Sequence, residues 1–156
     1  MGKKKVLFVC VHNSARSQIA EELLRRLAGD RFEVASAGLT PGKLNPLAVE
    51  VLKKDGIDIA HKETKSVFDL VKEGKLYQYV ITVCDESSAE QCPIFPGVTQ
   101  RINWSFKDPS AFKGNWEERL QKTREVKEEI KKKIEEWIKS VNLSAPSQKE
   151  PLRNKK

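Results

Sequence analysis

The stretch Cys10-Val11-His12-Asn13-Ser14-Ala15-Arg16-Ser17 stands between an apolar run at residues 6–9 and a segment with helical periodicity. A loop that joins a strand to a helix can hold a tetrahedral oxyanion, because its backbone N–H groups can point inward and the positive end of the helix lies behind them. Arg16 adds a planar set of donors that suits phosphate-like oxygens, and the same field favours the thiolate of Cys10. We therefore predict that residues 11–17 bind an oxyanion that Cys10 attacks.

The loop residues also have a simpler interpretation. A cysteine after an apolar strand is often a small core residue, and an arginine near a helix start is often a surface charge. Ser17 directly after Arg16, and Asn13 within the loop, favour the anion-binding interpretation.

Length and composition favour a single domain over residues 1–141, followed by a basic tail at 142–156. The 156 residues suit one hydrophobic core, whereas the tail holds Pro146, Pro151 and little apolar material, so we expect it to be disordered. The formal net charge is +7, but no aromatic-interleaved or helix-turn-helix pattern accompanies the basic residues. We expect no nucleic-acid partner and a positive field that attracts small anions.

No segment has the length of a membrane span or the pattern of a secretory signal, so we expect a cytoplasmic protein without a membrane partner. The three cysteines suggest no framework of disulfides, which agrees with a reducing compartment. His12 and His61 are too few and too far apart to indicate a metal site, and we expect neither a metal nor a cofactor. A monomer is expected, because no surplus apolar helix face stands out.

Apolar runs and helical periods alternate along the chain, which predicts an α/β fold with a parallel sheet. The predicted strands are residues 6–11, 34–38, 79–83 and 98–102. Four helices are predicted: the first follows residue 15, the second begins at Asn45-Pro46, the third spans 66–72 and the fourth runs over 115–141. The fourth has an apolar face of Trp116, Leu120, Val126, Ile130, Ile134, Trp137 and Val141. Residues 85–97 are predicted to form a loop. Cys10 and Cys84 each end a predicted strand, so we expect both to face one crevice at the carboxyl edge of the sheet.

Several motifs, in the right order over residues 5–141, resemble the low-molecular-weight protein tyrosine phosphatase fold. They are Cys10-x5-Arg16-Ser17, Ser36-Ala37-Gly38, Asn45-Pro46 and Asp108-Pro109. Within that fold, the cysteines at 10, 84 and 92, with Cys92-Pro93-Ile94 and Trp104-x-Phe106-x-Asp108-Pro109, resemble the thioredoxin-coupled arsenate reductases. The resemblance implies a three-layer fold whose central four-stranded parallel sheet is flanked by helices.

The resemblance also implies the reduction of arsenate to arsenite. Cys10 would attack arsenate held by the loop and Arg16, while Asp108 would protonate the leaving oxygen as general acid. Cys84 would then attack Cys10 and release arsenite. Cys92 would next attack Cys84, which moves the disulfide to Cys84–Cys92, where thioredoxin would reduce it.

Two further features of the loop enter through the same resemblance. Ser17 resembles the hydroxyl that hydrogen-bonds the nucleophile, and Asn13 resembles the residue that fixes the loop. Some members of the family bind potassium through residues that resemble Asn13, Glu21, Ser36 and an aspartate at the position of Lys65. Our hypothesis is that the Lys65 ammonium supplies this positive charge; the other interpretation is an exposed lysine unrelated to the site.

The spacing of the last two cysteines requires a conformational change. A disulfide needs Cα atoms roughly 4.4–6.8 Å apart, whereas eight residue steps span about 12 Å as a helix and about 25 Å or more when extended. Residues 84–92 must therefore close into a loop on oxidation, and any helix between them must unwind. We expect residues 85–91 to be a redox-switched segment.

Three alternatives stay open. A tyrosine phosphatase would use Cys10, Arg16 and Asp108 and would need no second cysteine, although Cys92 in a polar loop and the absence of tyrosines at 110–111 favour the reductase. Weak phosphatase activity is expected from the shared loop. A noncatalytic arsenic-binding protein would capture trivalent arsenic with three thiolates and would not need Asp108. Glutathione with glutaredoxin is the alternative to thioredoxin as the reductant.

Overall fold

Four parallel strands form the central sheet of the computed structural model, which describes residues 2–97 and 100–144. The strands are β1 (Lys4–Cys10), β2 (Phe32–Gly38), β3 (Tyr79–Thr82) and β4 (Gln100–Asn103), in the order β2-β1-β3-β4. Cys10 pairs with Gly38, and Val9 pairs with Thr82, so the inner strands end together at one edge of the sheet. The predicted α/β fold with four parallel strands is confirmed.

In the described residues, four helices lie between successive strands and a fifth follows the last strand. They are α1 (Arg16–Ala28), α2 (Pro46–Lys53), α3 (Val67–Lys72), α4 (Glu86–Ala89) and α5 (Trp116–Ser144), with a 3-10 turn at Pro109–Ala111. Asn45 caps α2 by accepting a hydrogen bond from the Leu47 N–H at 2.9 Å, as its position before Pro46 predicts. None of the helices in the described ranges combines the length and apolarity that a membrane crossing requires.

The two faces of the sheet pack against different elements, because side chains alternate along each strand. On the first face, Val6, Phe8 and Cys10 share a buried cluster with α1, α2 and α5. On the second face, Leu7 and Val9 share a smaller cluster with α3 and residues 92–95. The sheet therefore divides the core into two parts, and we call these the first face and the second face below.

Two sequence-based expectations are corrected by the structure. Residues 85–97 are not entirely a loop, because α4 forms within them; the Asp85 carboxylate accepts a hydrogen bond from Ser87 Oγ at 2.6 Å at the start of this helix. Trp116 does not belong to the apolar face of α5 but is 41% exposed. Residues 113–118 all lie in solvent, and packing begins at Leu120.

The ends of two predicted elements fall at the limits of the described chain. Helix α5 runs to Ser144, so it includes the first three residues assigned above to the tail. The other residues of that predicted tail, 145–156, lie outside the described part of the chain, as do residues 98–99 of the fourth predicted strand.

Candidate active site

The loop after β1 turns its carbonyl oxygens outward. The carbonyls of Cys10, Val11, His12 and Ser14 accept hydrogen bonds from the N–H groups of Leu39, Thr40, Gly42 and Asn45 at 3.1, 2.7, 3.0 and 2.9 Å. In a trans peptide the C=O and the next N–H point in opposite directions, so the N–H groups that follow these carbonyls point into the loop. The Asn13 N–H shows this directly, because it donates to Cys10 Sγ at 3.2 Å.

Helix α1 adds a positive field behind the loop. It begins at Arg16, and its N-cap residue Ala15 has only a methyl side chain, which cannot accept a hydrogen bond from the first turn. The N–H groups at a helix start carry a partial positive charge that attracts anions. The loop and the helix start together form a concave site suited to an oxyanion.

Asn13 holds the loop in a conformation that few residues adopt. Its φ of 56° lies in the left-handed region, where asparagine is one of the tolerated residues. Its Nδ2 donates to Ser17 Oγ at 2.7 Å and to Ser36 Oγ at 3.0 Å, and its Oδ1 accepts from the Lys65 N–H at 3.0 Å. These bonds join the loop to β2 and to the segment before α3, as expected of a residue that fixes the loop.

Gly38 permits the end of β2 to approach the loop closely. A Cβ at this position would lie 2.8 Å from the Asn13 nitrogen and 2.9 Å from the Val11 oxygen. Both contacts are with backbone atoms and cannot be relieved by a side-chain rotation. The glycine of the Ser36-Ala37-Gly38 motif is therefore required by the packing of β2 against the loop.

Cys10 is buried with two donors directed at its sulfur. Its Sγ lies 2.9 Å from Ser17 Oγ, in addition to the Asn13 N–H. Because Ser17 Oγ already accepts from Asn13 Nδ2, its own hydrogen is free to donate to the sulfur. Hydrogen bonds to a charged form favour that form, so both donors favour the thiolate.

Arg16 and Asp108 meet at the mouth of the loop. Arg16 Nη2 lies 3.4 Å from Asp108 Oδ2, and Arg16 Nη1 donates to the Phe106 carbonyl at 3.2 Å. The Asp108 side chain is 30% exposed, so it can exchange protons with solvent. Its other oxygen, Oδ1, accepts from the Ser110 N–H at 3.0 Å, which orients the carboxylate. Cys10, Arg16 and Asp108 are thus assembled around one loop.

Cys84 lies just beyond β3 and is buried in the same first-face cluster as Cys10. Burial raises the pKa of the Cys84 thiol to about 11, although the positive charge of Arg16 opposes this effect. The Cys84 carbonyl accepts from Asn103 Nδ2 at 3.1 Å and from Ser105 Oγ at 3.3 Å. Asn103 supports Cys84 from the end of β4 and Ser105 does so from the segment after it. Sequence analysis missed both residues, because neither carries a local signal.

Cys92 is not brought together with the other two cysteines. It belongs to the second-face cluster, where it lies with Tyr77 and Phe95. Burial raises the pKa of the Cys92 thiol, and the charge of Arg101 opposes this rise. All three cysteines are free thiols and all are buried. The three cysteines are therefore in the reduced form, with Cys92 in a different cluster from Cys10 and Cys84.

The hypothesis about Lys65 is wrong, because another lysine lies beside Glu21. The Lys65 side chain is exposed, whereas Lys62 Nζ lies 2.8 Å and Arg25 Nη2 2.5 Å from Glu21 Oε2. Ser36 Oγ donates to Glu21 Oε1 at 2.6 Å. Burial alone would raise the pKa of Glu21, but the charge of Lys62 and these hydrogen bonds outweigh it and hold this pKa below its usual value.

Neither histidine forms part of a metal site. His12 Nδ1 lies 2.9 Å from the Thr40 carbonyl, which ties the loop to the segment after β2, and His61 is exposed in a turn. Within residues 2–97 and 100–144, no group of three or more His, Cys, Asp or Glu residues could hold a metal ion.

Comparison with known proteins adds family relationships to this geometry. The family model for low molecular weight phosphotyrosine protein phosphatases matches residues 5–147. An arsenate reductase of Halalkalibacterium halodurans is 37% identical over 135 residues, which cover 86% of this chain and 94% of that relative.

Two solved structures are similar over most of the chain. A thioredoxin-dependent arsenate reductase of Corynebacterium glutamicum is 34% identical, with a TM-score of 0.67, over 92% of this chain and 64% of that one. The present chain thus spans less than two thirds of that protein. A structure described as an arsenate reductase in the phosphate binding state is 29% identical, with a TM-score of 0.71, over 88% of this chain and 98% of that one.

Proposed function

This chain belongs to the low molecular weight phosphotyrosine protein phosphatase family, and from that premise we propose that it is an arsenate reductase, which converts arsenate to arsenite. The observation that carries the proposal is a second buried thiol, Cys84, in the same apolar cluster as Cys10 beside the anion loop. A phosphatase needs one cysteine, whereas the two-electron reduction of arsenate needs two. The similarity to curated arsenate reductases agrees with this choice.

The first step joins Cys10 to arsenate. The inward N–H groups of residues 11–17 and the Arg16 guanidinium hold the arsenate oxygens, and the Cys10 thiolate forms a bond to arsenic. One arsenate oxygen leaves as water after it receives a proton from Asp108. This proton can come from solvent, because the Asp108 carboxylate is partly exposed.

The second step reduces the arsenic. Cys84, as a thiolate, attacks Cys10 Sγ, so that a sulfur–sulfur bond forms and the sulfur–arsenic bond breaks. The electron pair of the broken bond stays on arsenic, which leaves as arsenite. The two thiols have then supplied two electrons and are joined as a Cys10–Cys84 disulfide.

The third step moves the disulfide to a position where a reductant can reach it. Cys92 attacks Cys84 and releases the Cys10 thiolate for the next cycle. Because Cys92 is buried on the second face, residues 84–92 must rearrange and α4 must unwind. We propose thioredoxin as the reductant of the Cys84–Cys92 disulfide, on the basis of the thioredoxin-dependent relative.

The same thiol chemistry supports a proposal for the cellular compartment and the partners of the protein. Three free thiols suit a reducing compartment, so we place the protein in the cytoplasm. We propose that it acts as a single-domain monomer, with arsenate and thioredoxin as its only partners.

The test is arsenate-dependent NADPH oxidation in the presence of thioredoxin and thioredoxin reductase. Wild-type protein should turn over many times, and Cys10→Ser, Cys84→Ser and Cys92→Ser should each abolish multiple turnover. Cys92→Ser should still release one equivalent of arsenite, whereas Cys10→Ser and Cys84→Ser should release none. A silent wild type that hydrolyses an aryl phosphate through Cys10 alone would instead identify a phosphatase.

A further inference from the structure

Arg101 reaches the segment that carries Cys92. It pairs with Val80 across the β3–β4 ladder, and Val80 belongs to the second-face cluster with Cys92. Its Nη2 donates to the Cys92 carbonyl at 3.2 Å and to the Ala89 carbonyl at 3.4 Å. One guanidinium nitrogen thus spans the turn from Ala89 to Cys92.

This turn closes the C-terminal end of α4. Ala89 is the last residue of the helix, and its carbonyl also accepts the Cys92 N–H at 3.1 Å. The last carbonyls of a helix have no partner within the helix and form its negative end, where a cation is stabilising. Arg101 therefore links a four-residue helix, which has little stability of its own, to the sheet.

The same guanidinium is the positive charge that opposes the effect of burial at Cys92. Glu86 of α4 and Glu90, which directly follows this helix, line the same groove as Arg101 and carry the opposite charge. Burial raises the pKa of Tyr77, in the Cys92 cluster, above its ordinary value of 10.0, so this side chain adds no charge at pH 7. Cys92 must lose its proton before it can attack, so a cation that stays near its carbonyl assists that step.

We propose that Arg101 is a positioning residue of the thiol relay, which holds the Ala89–Cys92 turn on β4 in the reduced protein and supplies a positive charge near Cys92 when this cysteine attacks Cys84. In this step the Cys92–Cys84 bond forms, the Cys84–Cys10 bond breaks, Cys10 leaves as a thiolate, and the Cys92 proton goes to solvent. The inference rests on the function proposed above, because the disulfide that Cys92 attacks is the product of arsenate reduction.

The experiment follows one cycle without an external reductant. Wild type, Arg101→Gln and Arg101→Lys receive one equivalent of arsenate, are quenched with an alkylating agent at successive times, and are analysed by mass spectrometry for the two disulfides. Arg26→Gln is the matched control, since Arg26 also donates to a backbone carbonyl, that of Asp55 at 2.6 Å, but on α1.

We expect all proteins to release arsenite at similar rates. Transfer of the disulfide to Cys84–Cys92 should be slowed about tenfold by Arg101→Gln at pH 7, because the variant lacks the positive charge that opposes the effect of burial on the pKa of Cys92, and the difference should close as the pH rises. Arg101→Lys keeps the charge and should keep the wild-type pH profile. Amide hydrogens of residues 89–92 should exchange faster in both Arg101 variants. Equal transfer rates, or a slowing that is the same at every pH, would overturn the inference.

A second measurement does not depend on arsenate. In protein that carries Cys10→Ser and Cys84→Ser, the pH profile of Cys92 alkylation should move to higher pH with Arg101→Gln and should not move with Arg26→Gln. A wild-type protein that forms no arsenite would refute the proposed function. The pH profile of Cys92 alkylation would still show whether Arg101 affects the ionisation of Cys92. An unchanged profile in Arg101→Gln would refute that role.

Discussion

Arg16 Nη2 lies 3.4 Å from Asp108 Oδ2, so the cation that would bind the oxyanion is already paired with the acid that would protonate its leaving oxygen. The pair is formed between the start of α1 and the turn after β4, two regions that are far apart in the sequence. An incoming arsenate would share Arg16 with Asp108, and this would bring the carboxyl group beside the oxygen that must leave.

Asp108→Asn tests this arrangement. The amide oxygen can still accept the hydrogen bond from the Ser110 N–H that Oδ1 accepts now, while the proton-donating group is lost. We expect arsenite formation in a single turnover to slow about 10²–10⁴-fold, the usual contribution of a general acid. The exposed Asp69→Asn on α3 is the control and should match wild type. A rate within a factor of two of wild type in Asp108→Asn would remove Asp108 from the mechanism.

The raised pKa of Cys84 predicts a steep pH dependence. With a pKa of about 11, only a small fraction of this thiol is ionised at pH 7. Since the attack on Cys10 requires the thiolate, arsenite release in Cys92→Ser should accelerate about tenfold per pH unit between pH 7 and 9. Rapid-quench measurement of arsenite checks this. A rate that does not change over this range would show that ionisation of the buried Cys84 thiol does not limit arsenite release.

Ser17→Ala should reduce the reactivity of Cys10. The variant removes the hydroxyl that lies 2.9 Å from the sulfur and leaves the Asn13 N–H in place. A hydrogen bond to a charged group contributes about 1.5–3 kcal/mol, so alkylation of Cys10 by iodoacetamide at pH 7 should slow at least about tenfold. Ser140→Ala on α5 is the control. Unchanged alkylation in Ser17→Ala would mean that the hydroxyl does not stabilise the thiolate.

Lys62 and Lys65 offer a matched pair of variants. Lys62→Met leaves the buried Glu21 carboxylate with one cation fewer, and we expect the free energy of unfolding in urea at pH 7 to fall by about 1–3 kcal/mol. Lys65→Met removes an exposed side chain and should change the free energy of unfolding by less than about 0.5 kcal/mol.

The stability that Lys62→Met loses should depend on pH in one direction. Because the pKa of Glu21 is lowered in the folded protein, the stability from its ion pairs is present above pH 4.5 and is lost as the pH falls through the lowered pKa. The difference between wild type and Lys62→Met should therefore shrink in acid. Equal losses from Lys62→Met and Lys65→Met at pH 7 would contradict the assignment of Lys62.

Gly38→Ala should disturb the anion loop through the end of β2. The added methyl group would meet the Asn13 nitrogen at 2.8 Å, so either β2 or the loop must shift. We expect a loss of about 1–3 kcal/mol in the free energy of unfolding and weaker binding of phosphate, measured by calorimetry. Gly2→Ala has open space around it and is the control. Wild-type stability and binding in Gly38→Ala would show that the contact is easily relieved.

The sequence was sufficient for the features that local patterns encode. The run before Cys10, the loop with Arg16, and the cap at Asn45 carry their own signals, and the structure has these elements where predicted. Cys10 and Cys84 lie in the same buried cluster, in agreement with the expectation that parallel strands end at one edge of the sheet.

Some of the contacts that sequence analysis missed are made by long side chains that reach across the fold. Lys62 reaches Glu21, and Arg101 reaches the carbonyl of Cys92, from segments without any periodic pattern. Helix α4 is too short to produce a helical period. Trp116 fits the period of α5, but the first turn of that helix extends beyond the core. Such features depend on which parts of the chain pack against each other, and the local pattern of a single sequence does not show that packing.

The burial of Cys10 and Cys84 on one face of the sheet and of Cys92 on the other also limits their reaction with small oxidants. The exposed fractions of Cys10, Cys84 and Cys92 are 2%, 0% and 4%, so a small oxidant such as peroxide meets almost no sulfur surface in the resting protein. A disulfide between the two faces cannot form until residues 84–92 move. In the mechanism proposed above, this burial would keep the three thiols reduced until an oxyanion engages Cys10.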